Sequence, residues 1–231
     1  MTALTLYELR GADDRRYSLF SWRTRMALAH KGLDARIETV LLTDKDALAF
    51  SGGKTVPVLR DGETVVRDSW AIAEHLERAY PDRPSLFGGE AGHALTHLLN
   101  AWTDRTLIPA LAPLIAADVH DRIDPADRAH LRAGFERAFG QTLEALREGR
   151  DAKIAAFRKL LDPARASLRT RPFLSGEAPG YADYIVFSPL QWARIMSPYP
   201  VLAPDDPLRP WFERVLDLHG ATAGSHPAAV A

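Results

Sequence analysis

Two serines stand at the start of a predicted helix, where hydroxyl groups can do chemistry. The segment from Tyr17 to Gly32 has apolar residues at helical spacing, and Ser18 and Ser21 fall in its first turn. A serine there can simply accept a hydrogen bond from an orphan backbone N–H, which stabilises a helix by about 1 kcal/mol. The same hydroxyl, together with the positive end of the helix dipole, can instead stabilise a bound anion. This segment alone leaves both explanations open.

The absence of cysteine excludes several kinds of chemistry. None of the 231 residues is a cysteine, so the chain offers no disulfide, no thiolate ligand for a metal and no thiol nucleophile of its own. Any sulfur chemistry therefore needs a sulfur-bearing ligand. The net charge of −1 gives no electrostatic footprint for nucleic acid, and no apolar run approaches the roughly 20 residues that span a bilayer. We expect a cytoplasmic protein with neither nucleic-acid nor membrane partners.

The elements that must position the two serines lie within the first 84 residues. Helical patterns cover residues 18–31 and 68–80. Strand patterns cover residues 4–9, 35–42, 55–59 and 64–67. The first two strands, joined by a helix, predict a parallel βαβ unit, and Asp61-Gly62 predicts a hairpin between the last two. This order predicts an α/β domain of thioredoxin-like arrangement.

The rest of the chain predicts helices only. Residues 81–92 are rich in Pro, Gly, Asp and Glu and predict a linker. A long helix beginning near Leu95 is expected to bend near Pro109 and Pro113. Further helical patterns cover residues 131–146, 154–168, 181–196 and 208–219, before an expected loose tail over 220–231.

The helix over 18–31 is apolar on two faces. One face carries Phe20 and Leu28, and the other carries Trp22 and Met26. A helix of this kind is buried on two sides, so we expect it to lie between the sheet and the helical domain. Its first turn would then open onto the cleft between the domains, where ligand sites are common.

These motifs resemble those of glutathione transferases along nearly the whole chain. The resemblance rests on the segment 18–32, the run 55–59 and the segments 68–74 and 80–84. Within the family, Ser-x-Phe-x-Trp-x-Thr ending in Ala-Leu-Ala-His-Lys-Gly is most similar to the bacterial β-etherases and related fungal-like serine-type transferases, which attack lignin-derived β-aryl ethers with glutathione. The resemblance implies a thioredoxin-like domain over 1–84, an all-helical bundle over 93–231, glutathione as the cofactor and a homodimer.

The resemblance also implies how glutathione would be held. Ser18 would donate a hydrogen bond to the glutathione thiolate, and Ser21 could assist or replace it. A cis bond before Pro57 would leave the backbone of Val56 to pair with the cysteinyl unit, as an added strand does. The bland alternatives are that Ser18 only caps its helix and that Pro57 only ends an edge strand.

The two ends of glutathione would meet charged groups. The resemblance places the γ-glutamyl carboxylate on Ser69 and the γ-glutamyl ammonium on Asp68, with Lys54 near the glycyl carboxylate. Helix capping explains Asp68 and Ser69 equally well as residue types, and Lys54 also fits a solvated loop.

The second substrate is expected to be a small hydrophobic or aromatic electrophile. It would lie against Trp22, Met26 and Trp102, with the loop from Gly11 to Arg16 as a further wall, although aromatic residues at helical spacing also fit a core. Etherase cleavage, conjugation and glutathione-dependent isomerisation remain open, as does a non-catalytic module that binds glutathione or hydrophobic ligands.

Two positions depart from the family pattern. Leu19 stands where close relatives usually carry proline, which removes a preset φ at the helix start. Gly180 stands where a Ser or Thr usually begins the box that ends at Asp183, a residue we expect to be structural. No metal is predicted, because His93 and His97 lie one helical turn apart without a third ligand nearby.

Overall fold

The amino-terminal domain is built on a four-stranded sheet. The structure, a computed structural model, describes residues 4–44 and 46–230, so the outer ends of the two predicted domains, residues 1–3 and 231, lie outside it. The strands are β1 (Leu4–Leu9), β2 (Ala35–Val40), β3 (Val58–Asp61) and β4 (Thr64–Arg67). They lie in the order β2-β1-β3-β4, with β1 and β2 parallel and the other pairs antiparallel. The thioredoxin-like prediction is confirmed.

Two helices complete this domain. α1 (Leu19–His30) connects β1 to β2, as the βαβ prediction requires, and α2 (Ser69–Ala79) follows β4. Apolar side chains from the sheet and from both helices, such as Leu6, Leu28 and Ile72, belong to one buried cluster. Burial of this apolar surface is the main stabilising contribution to the domain.

The second domain is helical, as predicted. In the part of the chain that the structure describes, its helices are α3 (Glu90–Trp102), α4 (Ile108–Arg122), α5 (Arg128–Phe139), α6 (Leu143–Glu148), α7 (Arg150–Leu160), α8 (Asp162–Leu168), α9 (Tyr181–Met196) and α10 (Arg209–Ala221). Every helix in this described part is too short or too polar to cross a bilayer.

Glycine and proline divide segments that were predicted as single helices. The pattern over 131–146 is split because Gly140 ends α5 with a left-handed φ of 67°. The pattern over 154–168 is split near Pro163, which lies in the first turn of α8. A wide π turn over Thr103–Leu107 separates α3 from α4, and Pro109, whose nitrogen has no hydrogen to donate to the helix, lies in the first turn of α4.

The structure corrects two predicted strand boundaries and the expected loose tail. β2 ends at Val40 instead of residue 42, and β3 begins at Val58, after the proline, instead of at residue 55. The expected loose tail is ordered by hydrogen bonds, because Ala229 N donates to the carbonyl of Arg194 and Arg122 donates to the carbonyl of Val230. Sequence composition could not anticipate these partners, which lie in distant parts of the chain.

α1 lies between the two domains, as its two apolar faces predicted. It contacts α2 on one side and α9 on the other. Its Arg23 is fully buried and donates to Ser188 Oγ on α9 at 3.0 Å, Asn100 Oδ1 on α3 at 2.9 Å and Asp104 Oδ1 at 2.7 Å. A buried guanidinium needs such partners, so these bonds also determine how α1 is oriented against the helical domain.

A second polar contact between the domains consists of two histidines and a tyrosine. The Tyr184 hydroxyl lies 2.8 Å from His30 Nδ1 and 2.8 Å from His219 Nε2. Burial lowers the pKa of His219 to about 4, and the nearby His30 acts in the same direction. Burial also lowers the pKa of His30.

We predict that acid weakens the fold through His219. The unfolded chain takes up this proton near pH 6.5, whereas the folded chain resists it until about pH 4. The unfolded state therefore binds more protons between these values, so stability is lost as the pH falls from 6.5 towards 4. Urea unfolding at pH 7.5, 6 and 5 should show this slope, and it should be shallower in His219→Asn, because asparagine tolerates the positive φ found there. The exposed His130→Asn is the control, and an equal flattening in that variant would contradict the assignment.

Candidate functional site

Ser18 is the residue at which the backbone turns into α1. Its backbone is extended, and its Oγ accepts a hydrogen bond from Ser21 N at 3.3 Å, so it is the N-cap of the helix. The capping bond uses a lone pair of the hydroxyl and not its proton. The O–H of Ser18 therefore remains available to donate to a ligand while the oxygen is held at the helix end.

Ser18 lines a cavity of about 350 Å³. The cavity lies between the start of α1, the loop after β2, the segment before β3 and the start of α2. Its lining includes Lys54, Val56, Pro57 and Asp68. The structure thus brings together five of the residues that the sequence analysis selected for glutathione.

The segment before β3 turns sharply at the edge of this cavity. The Val56-Pro57 peptide bond is cis, as the resemblance implied. The paired part of β3 begins only at Val58, so the backbone of Val56 lies beyond the last ladder pair. Asp68 N donates to the carbonyl of Pro57 at 3.3 Å, which ties this turn to the start of α2.

Asp68 caps α2 in an unusual backbone conformation. Its φ is 75°, and its Oδ1 accepts hydrogen bonds from Trp70 N at 2.9 Å and Ala71 N at 3.1 Å. Capping, the bland alternative for this residue, is therefore part of its role. Because α1 and α2 both start at the cavity and Lys54 lines it, the positive ends of two helix dipoles and an ammonium group favour an anionic ligand there.

Two of the selected serines do not line the cavity. Ser21 is only 2% exposed, and its Oγ is buried without a hydrogen-bond partner among the described residues. Ser69 is equally buried, and its carbonyl accepts a hydrogen bond of 2.6 Å from the Tyr181 hydroxyl on α9. The hydroxyl of Ser18 is thus better placed for a ligand than that of Ser21.

Tyr17, which precedes Ser18, cannot donate a hydrogen bond to a ligand in this cavity. Burial raises the pKa of Tyr17, and the carboxylates of Asp127 and Asp124 act in the same direction. Its hydroxyl is buried and, within residues 4–44 and 46–230, has no hydrogen-bond partner. Tyr17 therefore stays protonated and turned away from the cavity that its neighbour lines.

The apolar wall of the cavity was not predicted from the sequence. Phe20, Leu41, Leu42 and Leu48 line it together with the polar residues. The guanidinium carbon of Arg23 lies 4.9 Å from the centre of the Phe20 ring. Phe20 was part of the quoted motif and could have been selected, whereas the leucines lie in a loop and a short turn whose placement no periodicity predicts.

The residues predicted for the second substrate lie elsewhere. Trp22 and Met26 are buried in the core, where the Trp22 ring nitrogen donates to the carbonyl of Arg16 at 2.7 Å. Trp102 borders a different cavity of about 770 Å³, next to Leu98 and Phe87. The loop from Gly11 to Arg16 does not line the candidate site either. None of these residues lines the cavity at Ser18. The prediction failed because helical spacing identifies the apolar face of a helix but not what covers that face.

Asp183 has the structural role expected of it. Its carboxylate accepts hydrogen bonds from Leu174 N, Ser175 N, Gly180 N and the Trp211 ring nitrogen at 2.7–3.2 Å.

In the described residues, no three histidine, aspartate or glutamate side chains are grouped as metal ligands. His93 instead pairs with Glu74 at 3.0 Å.

Family models match both halves of the chain. Residues 17–79 match the model described as "Glutathione S-transferase, N-terminal domain" and residues 94–200 match "Glutathione S-transferase, C-terminal domain". Among curated proteins, the chain is 29% identical over 140 residues to the glutathione S-transferase-like protein ustS of Aspergillus flavus, covering 54% of this chain and 49% of that one. It is 37% identical over 70 residues to a probable maleylacetoacetate isomerase of Caenorhabditis elegans, covering 29% and 33%. The chain thus matches at most about half the length of these two relatives.

Solved structures are similar over nearly the whole chain. Glutathione transferase GSTFuA3 of Phanerochaete chrysosporium superimposes with a TM-score of 0.76 and 26% identity, covering 96% of this chain and 93% of that one. Transferase CsGST63524 of Ceriporiopsis subvermispora, solved in complex with glutathione, gives a TM-score of 0.72 at 22% identity, covering 96% and 94%. At this lower identity the second comparison supports the fold alone.

Proposed function

Since the chain belongs to the glutathione S-transferase family, we propose that the cavity at Ser18 binds glutathione and activates its thiol for attack on a hydrophobic, aromatic electrophile. The observation that carries the proposal is the convergence on one cavity of the Ser18 hydroxyl, two helix N-termini and Lys54. Each of these groups favours an anion, and glutathione carries a carboxylate at both ends and a thiolate between them.

The energy needed for thiolate formation is within reach of Ser18. A cysteine-like thiol has a pKa of about 8.5, so only a few per cent is ionised at pH 7. Lowering this pKa by about two units requires about 2.7 kcal/mol in favour of the anion. A hydrogen bond to a charged group supplies about 1.5–3 kcal/mol and a helix N-terminus about 0.3–1 kcal/mol. The Ser18 O–H and the dipole of α1 are together sufficient.

The remaining groups would bind the peptide along its length. The backbone of Val56, which lies beyond the last ladder pair of β3, pairs with the cysteinyl unit. The N-terminus of α2 beside Asp68 receives the γ-glutamyl carboxylate through backbone N–H groups, because the Ser69 side chain is buried and does not line the cavity. Asp68 meets the γ-glutamyl ammonium with the carboxylate oxygen that the two capping bonds leave, and Lys54 meets the glycyl carboxylate. Ser21, buried beneath the first turn, would support the cap instead of touching sulfur.

The apolar wall supports an aromatic second substrate. Phe20, Leu41 and Leu42 offer surface on which an aryl group can pack beside the sulfur. Cleavage of a β-aryl ether is the specific reaction we propose, since the resemblance at Ser18 to Thr24 is to etherase-like transferases. Holding sulfur and electrophile together would supply much of the rate.

A glutathione-dependent isomerisation is the second candidate. It is favoured by the similarity over 70 residues to the probable maleylacetoacetate isomerase. Assays with a fluorogenic β-aryl ether, a chlorinated aryl acceptor and a maleyl compound distinguish the three reactions. Calorimetry with glutathione tests the premise they share, and no heat up to several millimolar would instead support a non-catalytic module for hydrophobic ligands.

We also propose a cytoplasmic homodimer. Leu95 and Leu98 on α3 are 69% and 67% exposed, although they are large apolar residues. An exposed apolar face of this kind is suited to a second copy of the chain. Analytical ultracentrifugation measures the association, and a monomer at micromolar concentration would contradict it.

The charge of Asp68 should matter more for glutathione than for the fold. In Asp68→Asn, the side chain remains a good N-cap and tolerates the positive φ, but the negative charge facing the ammonium group is removed. We expect the dissociation constant of glutathione to rise by about three- to tenfold, since charge-assisted hydrogen bonds are roughly twice as strong as neutral ones. Calorimetry measures the affinity and thermal unfolding the stability, and a loss of stability with unchanged affinity would assign Asp68 to capping alone.

A further inference from the structure

The loop after β2 is held from outside its own domain. The chain leaves the sheet after Val40, the last residue of β2. The loop that follows contributes Leu41, Leu42 and Asp44 to the lining of the candidate cavity. The backbone N–H groups of Leu42 and Thr43 therefore have no partner on a neighbouring strand. A backbone donor that has left a sheet needs another acceptor or water. Here the acceptor comes from the helical domain.

That acceptor is the carboxylate of Asp127. The residue ends a short 3₁₀ turn, Pro125–Asp127, between α4 and α5. Its Oδ2 accepts from Leu42 N at 2.9 Å, while its Oδ1 accepts from Thr43 N at 2.9 Å and from Thr43 Oγ1 at 2.7 Å. Asp127 is 0% exposed, so water does not compete for these bonds. Three charge-assisted hydrogen bonds to one buried carboxylate make a strong and directional contact.

We infer that Asp127 is a positioning residue for glutathione binding. It holds the loop that forms part of the cavity lining and so helps to fix the position of this part relative to Ser18, which lines the same cavity. The inference rests on the proposed function, that this cavity binds glutathione. Asp127 itself does not line the cavity, so it acts through Leu42 and Thr43 and not by touching the ligand.

The expected consequence is a change in affinity more than in chemistry. Without the hydrogen bonds to Asp127, the loop samples other positions, and glutathione binding must restore the correct position at a cost in free energy. Once glutathione is bound, the Ser18 hydroxyl and the start of α1 are unchanged. Removal of the Asp127 carboxylate should therefore raise KM for glutathione and leave kcat at saturation nearly constant.

The test compares four variants with the wild-type chain. Asp127→Ala removes all three bonds, Asp127→Asn keeps one acceptor oxygen, and Thr43→Val removes only the hydroxyl bond. Asp124→Ala is the matched control, because its carboxylate lies in the same turn and accepts from Ala126 N instead of from the loop. Calorimetry gives the dissociation constant of glutathione, turnover of a chlorinated aryl acceptor gives KM and kcat, and hydrogen exchange reports on the amides of residues 41–44.

We expect the dissociation constant to rise about tenfold in Asp127→Ala, equivalent to about 1.4 kcal/mol, with kcat within about twofold of wild type. Asp127→Asn and Thr43→Val should show a smaller rise of about threefold. The backbone amides at positions 42 and 43 should exchange fastest in Asp127→Ala, more slowly in Asp127→Asn and slowest of the three in Thr43→Val. Asp124→Ala should match wild type in affinity and in exchange. If Asp127→Ala does not fold, the two milder variants carry the test.

The outcomes separate two failures. If the wild-type chain binds glutathione and the folded variants bind it equally well, the inference is overturned and the proposed function stands. Equal loss in Asp124→Ala also overturns it, since a general disturbance of the turn would then be the cause. If the wild-type chain itself does not bind glutathione, the proposed function fails first, and the positioning role fails with it.

Discussion

Replacement of Ser18 by alanine is expected to lower kcat/KM for glutathione conjugation by about 10- to 100-fold at pH 7, because a hydrogen bond to a charged group contributes about 1.5–3 kcal/mol. Binding of the peptide should weaken much less, since most of its contacts lie elsewhere in the cavity. The loss should shrink above pH 9, where the thiol of cysteine ionises without help. Initial rates with a chlorinated aryl acceptor from pH 6 to 9.5 measure both effects.

Ser21→Ala is the matched control for this experiment. The two serines lie on the same helical turn and differ in exposure, since Ser21 Oγ is buried without a partner in the described residues and Ser18 lines the cavity. The backbone N–H of Ser21 that holds Ser18 Oγ is retained in the variant. We expect activity within about twofold of wild type. Equal losses in both variants, or a larger loss in Ser21→Ala, would contradict the role given to Ser18.

Asp183→Ala should produce the largest loss of stability. Four donors converge on this carboxylate: three backbone N–H groups and the Trp211 ring nitrogen. All of them would lose their acceptor, and two of them, Gly180 N and the Trp211 ring nitrogen, are buried beside Asp183, which is 0% exposed. We expect a destabilisation above about 3 kcal/mol, which lowers Tm by about 6–12 °C for a chain of this size.

Thermal unfolding with and without glutathione measures this effect and separates structure from catalysis. The control is Asp217→Ala, an exposed aspartate on α10, which should change stability by less than about 0.5 kcal/mol. Folded Asp183→Ala at low temperature should keep the wild-type kcat. A fall in kcat without a fall in Tm would contradict the structural role of Asp183.

The fold was predictable because local signals and tertiary structure agree in this chain. The strand patterns and the Asp-Gly signal predicted four strands, the parallel pair β1 and β2 and the hairpin of β3 and β4, and the pattern over 181–196 matches α9. Where one predicted helix proved to be two, a single residue decided the outcome, as Gly140 does at the end of α5. Short-range periodicity runs across such a break when the apolar spacing continues beyond it.

The polar part of the candidate site was also within reach of the sequence, since Ser18, Pro57 and Asp68 lie in recognisable motifs. The apolar part was not. Helical spacing placed Trp22 on a buried face but could not distinguish the core from a substrate pocket, and the structure places it in the core. The role of Asp127 could not be predicted from the sequence, because its partners Leu42 and Thr43 lie 84–85 residues away. Only the packing of the two domains brings these residues together.

The pKa of bound glutathione tests the central claim most directly. The ultraviolet absorbance of the thiolate, recorded from acid to alkali with the wild-type chain saturated by glutathione, reports the ionisation at the start of α1. We predict a pKa near 6.5, about two units below the value of about 8.5 for a free cysteine thiol, and a return towards that value in Ser18→Ala. Ionisation of bound glutathione at the solution value in the wild-type chain would contradict the account.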